Sequence, residues 1–303
     1  MNRDTILVGY DGSIAAQTAA DWALDEARRW SCLVRLVEVV EWPVRVGPAT
    51  TRPDTWPKSQ AYRDTEEALD RAIAALADSN PDVEVTGILV EGPPAAMLAD
   101  LSTGVRMVVV GDHSRRGLAG PLLGSVATAL ATHAAAPVAV VRGSTARQRS
   151  GPVVVGVDDS PEGRAAVPVA FAEASSRDAE LAAVHAWQPP RAWQSMGRPR
   201  YDDAVAELAT AERTLLSTLL KDWRRAYPAV TVSTHVAEAG LAQALVEASR
   251  LAQLVVVGSS DRVGSRGVRS GSVSRRVLQH AHCPVLVIGA AENITAIAQG
   301  TRR

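Results

Sequence analysis

Short, almost wholly apolar runs alternate along the chain with longer segments in which apolar residues recur at helical spacing. In the first half of the chain these runs cover residues 5–10, 33–40, 83–90, 107–111 and 138–141. Runs of this kind are typical of strands that are buried on both faces of a sheet. The segments between them predict helices over residues 14–30, 59–77 and 94–102, and a fourth helix that starts near Gly124.

Regular alternation of strands and helices determines the expected fold class. Parallel strands joined by right-handed helical crossovers form a sheet that helices cover on both faces. The sequence therefore predicts an α/β fold built from doubly wound, five-stranded parallel sheets of the Rossmann-like type. Ligands of such sheets bind beyond the carboxyl ends of the strands, where the strand order reverses.

The whole pattern occurs twice. The segment VGYDGS at residues 8–13 recurs as VGVDDS at 155–160, and GSV at 124–126 recurs at 271–273, each 147 positions later. A constant offset across half the chain indicates a tandem duplication. We expect one domain over residues 1–145, a second over 151–291 and a flexible tail over 292–303, because the polar Gly/Ser-containing segment between the halves is typical of a linker.

Composition excludes several classes of partner. The net charge is −1 over 303 residues, without a long basic or acidic block, which argues against binding to nucleic acid or to an anionic membrane. No apolar run approaches the roughly 20 residues that span a bilayer, and the first residues read as a strand rather than a signal peptide. The two cysteines, Cys32 and Cys283, do not have metal-ligand spacing. We therefore expect a cytoplasmic protein.

Two polar features follow strands at the predicted carboxyl edge of each sheet. Asp11, and Asp158 in the second copy, directly follow the first strand, and a glycine-rich segment follows the fourth strand and leads into a helix. Glycines let the backbone approach a ligand, and the N–H groups of such a turn and of the helix start attract anions. The pattern predicts a phosphate site opposite an acidic residue that could accept from ribose hydroxyls or hold a metal.

These features also have structural interpretations. Glycine-rich turns between a strand and a helix can serve packing alone, and Asp11 and Asp158 can serve only to stiffen their turns through Asx-type hydrogen bonds. His185 lies within the second strand of the second half and is predicted to be a packed core residue. For the glycine-rich segments and the two aspartates, the structural and the ligand-binding interpretations both stay open at the level of sequence.

The motifs resemble those of the universal stress protein family. The resemblance rests on V-x-x-D-G-S at the end of the first strand, and on VVVG followed by a glycine-rich segment that leads into GSV. It covers nearly the whole chain, twice. ATP-binding members of the family carry G-x2-G-x9-G-[ST] after the fourth strand, and both copies here have its outer elements. The resemblance implies ATP as the cofactor, with or without Mg²⁺, and implies that the backbone of Val39, or of Ala186 in the second copy, meets adenine.

Motif and resemblance together define a predicted nucleotide-binding set in each half. In the first half it comprises Asp11, Val39, Gly111, His113, Arg115, Gly117, Gly124, Ser125 and Val126. In the second half it comprises Asp158, Ala186, Gly258, Arg262, Gly264, Gly271, Ser272 and Val273. The arginines are included because a guanidinium can bind phosphate oxygens.

The chain departs from the family motif at its second glycine. That position is Ser114 in the first copy and Asp261 in the second. A position that requires positive φ penalises serine more than aspartate, but Asp261 also adds negative charge near the phosphates. We therefore rank the first site above the second. The same departure keeps open a second hypothesis, a nucleotide-free module that acts through interaction and signalling.

Known hydrolase motifs are missing from the sequence. There is no G-x-S-x-G, no H-E-x-x-H and no G-x-x-x-x-G-K-[ST], so ATP hydrolysis is expected to be slow at most. A nucleotidyl transferase of related fold is a third hypothesis. The resemblance implies instead a regulator of stress survival, which associates through the last strands, residues 138–141 and 285–288, within one chain or in a homodimer.

Overall fold

The computed structural model describes residues 4–41, 60–112, 124–142, 150–190, 193, 198–238, 240–259 and 271–289. The chain divides into two compact units, unit 1 (Met1–Ala146) and unit 2 (Arg147–Arg303). The predicted C-terminal tail, residues 292–303, lies outside the described residues. No helix in the described ranges is both long enough and apolar enough to cross a membrane.

Unit 1 alternates strands and helices in the order that the apolar pattern predicts. Its elements are β1 (Thr5–Gly9), α1 (Ile14–Trp30), β2 (Leu33–Val40), α2 (Gln60–Ser79), β3 (Val85–Glu91), α3 (Pro94–Leu101), β4 (Met107–Gly111), α4 (Ser125–His133) and β5 (Val138–Val141). The strands pair in parallel in the order β3-β2-β1-β4-β5. The α/β fold class predicted from the sequence is confirmed.

Unit 2 repeats this arrangement. Its elements are β6 (Val153–Gly156), α5 (Pro161–Ser176), β7 (Leu181–Ala186), α6 (Arg198–Ala226), β8 (Val232–Ala237), α7 (Leu241–Ala248), β9 (Leu254–Gly258), α8 (Gly271–His280) and β10 (Val285–Ile288). The parallel order is β8-β7-β6-β9-β10. Central strand residues such as Ile6, Val109 and Val255 are fully buried, as expected for a sheet covered on both faces.

The third strand begins two residues later than the apolar pattern predicts. Val83 is buried, but its N–H donates to the carbonyl of Asn80 at 3.1 Å, so residues 80–83 form a turn. Arg28 of α1 holds this turn by donating to the Asp82 carboxylate at 2.7 Å. An apolar side chain in a turn can enter the core, which is why the pattern extended the strand too far.

The strand order reverses at β1 in unit 1 and at β6 in unit 2. β1 lies between β2 and β4, with Val8 in register with Leu36 on one side and Val109 on the other. The connections that leave β1 and β4 therefore diverge to opposite sides of the sheet and leave a crevice at its carboxyl edge. Asp11 comes shortly after the end of β1, and Gly111 is the last residue of β4. Both residues therefore lie at this crevice.

Candidate functional site

Asp11 forms the turn between β1 and α1. Its Oδ1 accepts from the N–H of Ser13 at 3.0 Å, and the Ser13 hydroxyl oxygen accepts from the N–H of Ala16 at 3.1 Å, which caps α1. Gly12 between them has a φ of +72°, a conformation that glycine adopts without strain. The Asx-type turn predicted as the structural alternative is therefore present, and it fixes the carboxylate at the crevice.

Gly111 ends β4 directly under the first turn of α1. A Cβ at this position would lie 2.7 Å from the carbonyl oxygen of Ala15, a distance that no side chain tolerates. Gly258 meets the backbone of Glu162 in the same way in unit 2, at 2.6 Å. The first glycine of each motif is thus required for close packing of a helix on a strand.

Gly124 links the end of β4 to the start of α4. Its N–H donates to the carbonyl of Asp112 at 2.9 Å, and its own carbonyl accepts from Thr128 at 3.1 Å, the first bond of the helix. As the N-cap, Gly124 offers no side chain to the first turn. The N–H groups of Ser125 and Val126 belong to that turn and have no partner within the helix, because an α-helix leaves its first N–H groups without one.

A charged pair distinguishes the mouth of unit 1. Asp112 follows β4 and Arg142 follows β5, and the N–H of Asp112 donates to the carbonyl of Val141 at 3.1 Å. Burial lowers the pKa of the Arg142 guanidinium from its ordinary value, and the nearby Asp112 carboxylate acts to raise it. The corresponding residues of unit 2 are the uncharged Ser259 and Gly289.

Val39 directs its backbone polar groups toward the crevice of unit 1. The last register pair of β1 with β2 is Gly9 with Val37, whose carbonyl then accepts from the N–H of Tyr10 at 3.0 Å. Val40 turns to the other side, where its carbonyl accepts from Gly92. Since alternate residues of a strand face opposite neighbours, the N–H and carbonyl of Val39 point to the side of β1, beyond the end of that strand.

In unit 2 the structure brings predicted residues together around one cavity of about 20 Å³. Its lining residues are Gly156, Asp158, Ser160, Gly163, Leu241, Leu245, Val257, Gly258 and Val273. This volume accommodates about one water molecule. Ala186 ends β7 and corresponds to Val39, but it is not part of this lining.

Five predicted residues and the two motif departures lie outside the described residues. They are His113, Ser114, Arg115, Gly117, Asp261, Arg262 and Gly264. Gly271 and Ser272 begin α8. Within the described ranges no group of three or more His, Cys, Asp and Glu side chains lies close enough to hold a metal ion.

Comparison with known proteins assigns the family. The model of the universal stress protein family matches residues 2–142 and again 150–289. The chain belongs to the universal stress protein family. A universal stress protein of Mycobacterium tuberculosis is 36% identical over 93% of this chain and 94% of its own length. One of Mycolicibacterium smegmatis is 36% identical over 93% of this chain and 96% of its own length.

A solved structure shares the fold at low sequence identity. The crystal structure of a universal stress protein from Archaeoglobus fulgidus matches 96% of this chain and 100% of its own, with a TM-score of 0.66 and 16% identity. The tandem universal stress protein architecture expected from the duplication is thus confirmed by both sequence and fold.

Sequence reasoning missed two features of this universal stress protein. A Cβ at Gly163 would lie 2.0 Å from Oδ1 of Asp158, so the Asp158 carboxylate lies directly over this glycine in the first turn of α5, where unit 1 has Ala16. His185 is buried as predicted, but it also binds Glu212 of α6. No local pattern in the sequence indicated either contact.

The two cysteines lie apart from the predicted sites. Both thiols are free and buried. Burial raises the pKa of Cys283 to about 12 and also raises the pKa of Cys32. Both side chains therefore remain neutral thiols near neutral pH, and a neutral thiol is a poor nucleophile and a poor metal ligand.

Proposed function

We propose that this chain is an ATP-binding universal stress protein that acts as a nucleotide-responsive regulator of stress survival, with unit 1 as its principal site. One arrangement carries the proposal: the uncapped start of α4 and the Asp11 carboxylate lie at the carboxyl edge of adjacent strands. The phosphates of a nucleotide need N–H donors, such as those at the start of α4, and its ribose hydroxyls need an acceptor, such as the Asp11 carboxylate.

The start of α4 suits the phosphates. The N–H groups of its first turn and the positive end of the helix dipole favour an anion. Gly124 keeps side-chain bulk out of the approach to this helix start, where a Cβ would lie 3.2 Å from the carbonyl oxygen of Asp112. The glycine-rich segment between Asp112 and Gly124 supplies further backbone amides to the phosphates.

The opposite side of the crevice suits the nucleoside. Adenine presents a donor and an acceptor on one edge, which the carbonyl and N–H of Val39 complement. Asp11 accepts from the ribose hydroxyls or helps to hold Mg²⁺ that arrives with the nucleotide. Nucleotide binding then shifts the conformation or the association of the protein, and hydrolysis is slow at most, because the sequence lacks a P-loop lysine.

Gly124→Val tests the phosphate site. The branched side chain would add bulk at the start of α4, where a Cβ would already approach the carbonyl oxygen of Asp112 to 3.2 Å, so we expect the affinity for ATP with Mg²⁺ to fall at least about tenfold in isothermal titration calorimetry. Gly240→Val is the matched control, because Gly240 is the N-cap of α7 and a Cβ there meets nothing within 4 Å. The control should bind ATP as the wild type does.

Two results of this titration would contradict the proposal. Unchanged affinity in the Gly124→Val variant would remove α4 from the site. Absence of binding by the wild type up to millimolar ATP with Mg²⁺ would leave the nucleotide-free interaction module, which the substitutions at Ser114 and Asp261 favour. Parallel titrations with ADP, AMP and cyclic AMP, and extraction of nucleotide from the purified protein, identify the ligand.

Self-association through the last strands, β5 and β10, forms part of the proposal. Backbone groups at the border of a sheet pair readily with another strand, either between the two halves of one chain or between two chains. Light scattering with and without ATP measures the mass of the particle. A monomer whose mass and shape do not respond to ATP would contradict a role for association in the response.

A further inference from the structure

A buried histidine and a buried glutamate connect α6 to the crevice of unit 2. His185 on β7 and Glu212 on α6 are 6% and 5% exposed. Nδ1 of His185 lies 2.8 Å from the carbonyl oxygen of Val157, and Nε2 lies 2.8 Å from Oε2 of Glu212. Both nitrogens of the ring are thus within hydrogen-bond distance of oxygen atoms.

These contacts require a shared proton. A carbonyl oxygen only accepts, so Nδ1 must carry a hydrogen and donate it to Val157. A neutral ring would then direct the lone pair of Nε2 at an ionised carboxylate, which also only accepts. The 2.8 Å contact therefore holds one proton between Nε2 and Oε2, whichever of the two atoms carries it.

The charged residues described on β6 and α5 near this pair engage partners of their own or lie away from it. Asp158 is the neighbour of Val157, and its Oδ1 accepts from both the N–H and the hydroxyl of Ser160. On α5 the exposed Asp159 and Arg164 bind each other, and the backbone of Glu162 lies against β9, on the far side of β6 from β7.

On β8 and α6, the described neighbours in register with the pair or one helical turn from it are apolar. On β8 His185 is in register with Val236, while the exposed His235 lies on the opposite face of the strand. The residues one helical turn away from Glu212 on α6 are the apolar Leu208, Ala209, Leu215 and Leu216.

The pair contacts Val157, the residue that precedes the turn formed by residues 158–160, which we call the Asp158 turn. The carbonyl of Val157 accepts from His185, its N–H donates to the carbonyl of Val184 at 2.9 Å, and the next residue is Asp158. The position of the Asp158 turn therefore depends on a contact that reaches α6. Unit 1 has Glu38 and Thr65 at the two corresponding positions and lacks this histidine.

We propose that His185 and Glu212 form a proton-dependent positioning pair for the Asp158 turn, which makes the site of unit 2, but not that of unit 1, sensitive to pH. Rising pH removes the shared proton and sets a lone pair against a buried carboxylate, and this repulsion separates α6 from the turn. The nature of the ligand, a nucleotide, rests on the function proposed above. The positioning role of the pair does not.

Nuclear magnetic resonance of the full chain tests the pair without any ligand. The ring of His185 and the amides of Asp158, Asp159 and Ser160 are followed from about pH 5 to about pH 10, a range that brackets the ordinary pKa of imidazole. We expect the amides to shift with the same midpoint as the ring. In Glu212→Gln the side-chain amide donates to a neutral Nε2, so the contact survives without the proton and the amides should no longer respond.

Binding measurements extend the test to the ligand. In a chain whose unit 1 carries Gly124→Val, ATP affinity should fall about tenfold as the shared proton is lost, and Glu212→Gln should make it independent of pH. Thr65→Ala, at the position in unit 1 that corresponds to Glu212, is the control and should leave this pH profile unchanged. If Glu212→Gln does not fold, His185→Asn retains a donor to Val157, lacks Nε2 and should remove the pH response.

The outcomes separate this proposal from the function proposed above. Titration of the His185 ring without a shift at Asp158 and Ser160, or a full pH response in Glu212→Gln, would overturn the positioning role. An intact amide response in a protein that binds no nucleotide at either unit would support the pair and refute the ATP-binding function.

Discussion

At the scale of single residues, one glycine of each motif has a packing role that its place in a ligand motif conceals. Gly111 and Gly258 end β4 and β9 under the first turn of α1 and α5, where no Cβ fits. Because this packing sets the distance between the helix and the strand end, it also sets the width of the crevice. A substitution at Gly111 or Gly258 should therefore lower the stability of its unit, and any effect on ligand binding should follow from that loss of packing.

Gly258→Ala should therefore destabilise unit 2. Its Cβ would lie 2.6 Å from the backbone carbon of Glu162, and relief of that contact requires α5 to move, at a cost of about 1–3 kcal/mol. Gly240→Ala, where a Cβ meets nothing within 4 Å, should cost less than about 1 kcal/mol. Urea unfolding followed by hydrogen exchange of unit 2 peptides measures both, and equal stability of the two variants would refute the packing argument.

At the scale of elements, α1 and α5 begin in the same way. In each, an aspartate oxygen accepts from the N–H of a serine two residues later, and the serine hydroxyl oxygen caps the helix. This chain of bonds couples the strand end to the helix start, so the acidic side chain at the crevice and the helix behind it are positioned together. Pro161 adds a preset φ at the first position of α5.

Ser13→Ala should loosen the first turn of α1. Loss of the cap leaves the N–H of Ala16 without its acceptor and costs about 1 kcal/mol, which should speed amide exchange at the helix start about fivefold. Ser13→Asn restores an acceptor and should recover most of the protection. The first turn of α5 in the same sample is the internal control, and unchanged exchange at Ala16 would show that the cap does not stabilise α1.

At the scale of the whole molecule, duplication has placed the same motifs in unlike surroundings. Unit 1 has Asp112 and Arg142 at its mouth, whereas unit 2 has Ser259 and Gly289 there and carries the His185–Glu212 pair. Two copies that differ in the charged groups around their crevices should differ in affinity. A tandem chain can thus carry one principal site and one conditional site.

Asp11→Asn and Asp158→Asn test this asymmetry. Asparagine keeps the Asx-type acceptor of the turn and removes only the charge, so a loss of binding reports on the ligand rather than on the turn. We expect Asp11→Asn to weaken ATP binding about tenfold and Asp158→Asn to leave the principal site unchanged, as measured by titration calorimetry. The opposite order of effects would assign the principal site to unit 2.

The sequence alone determined the strands, most of the helices, the duplication and the edge of the sheet at which Asp11 and Gly124 lie. Apolar periodicity, serine caps and repeat spacing are local signals or exact repeats, which can be read without coordinates. Where a local signal was ambiguous, as at Val83, the predicted strand boundary was wrong by two residues.

The tertiary structure decided what depends on distant parts of the chain. The clash that makes Gly111 necessary arises from the backbone of α1, nearly a hundred positions earlier in the chain. The contact between His185 and Glu212 joins residues 27 positions apart on different elements. Neither residue type nor spacing encodes such contacts, because they arise only when helices pack on the sheet and bring particular atoms within a few ångströms of each other.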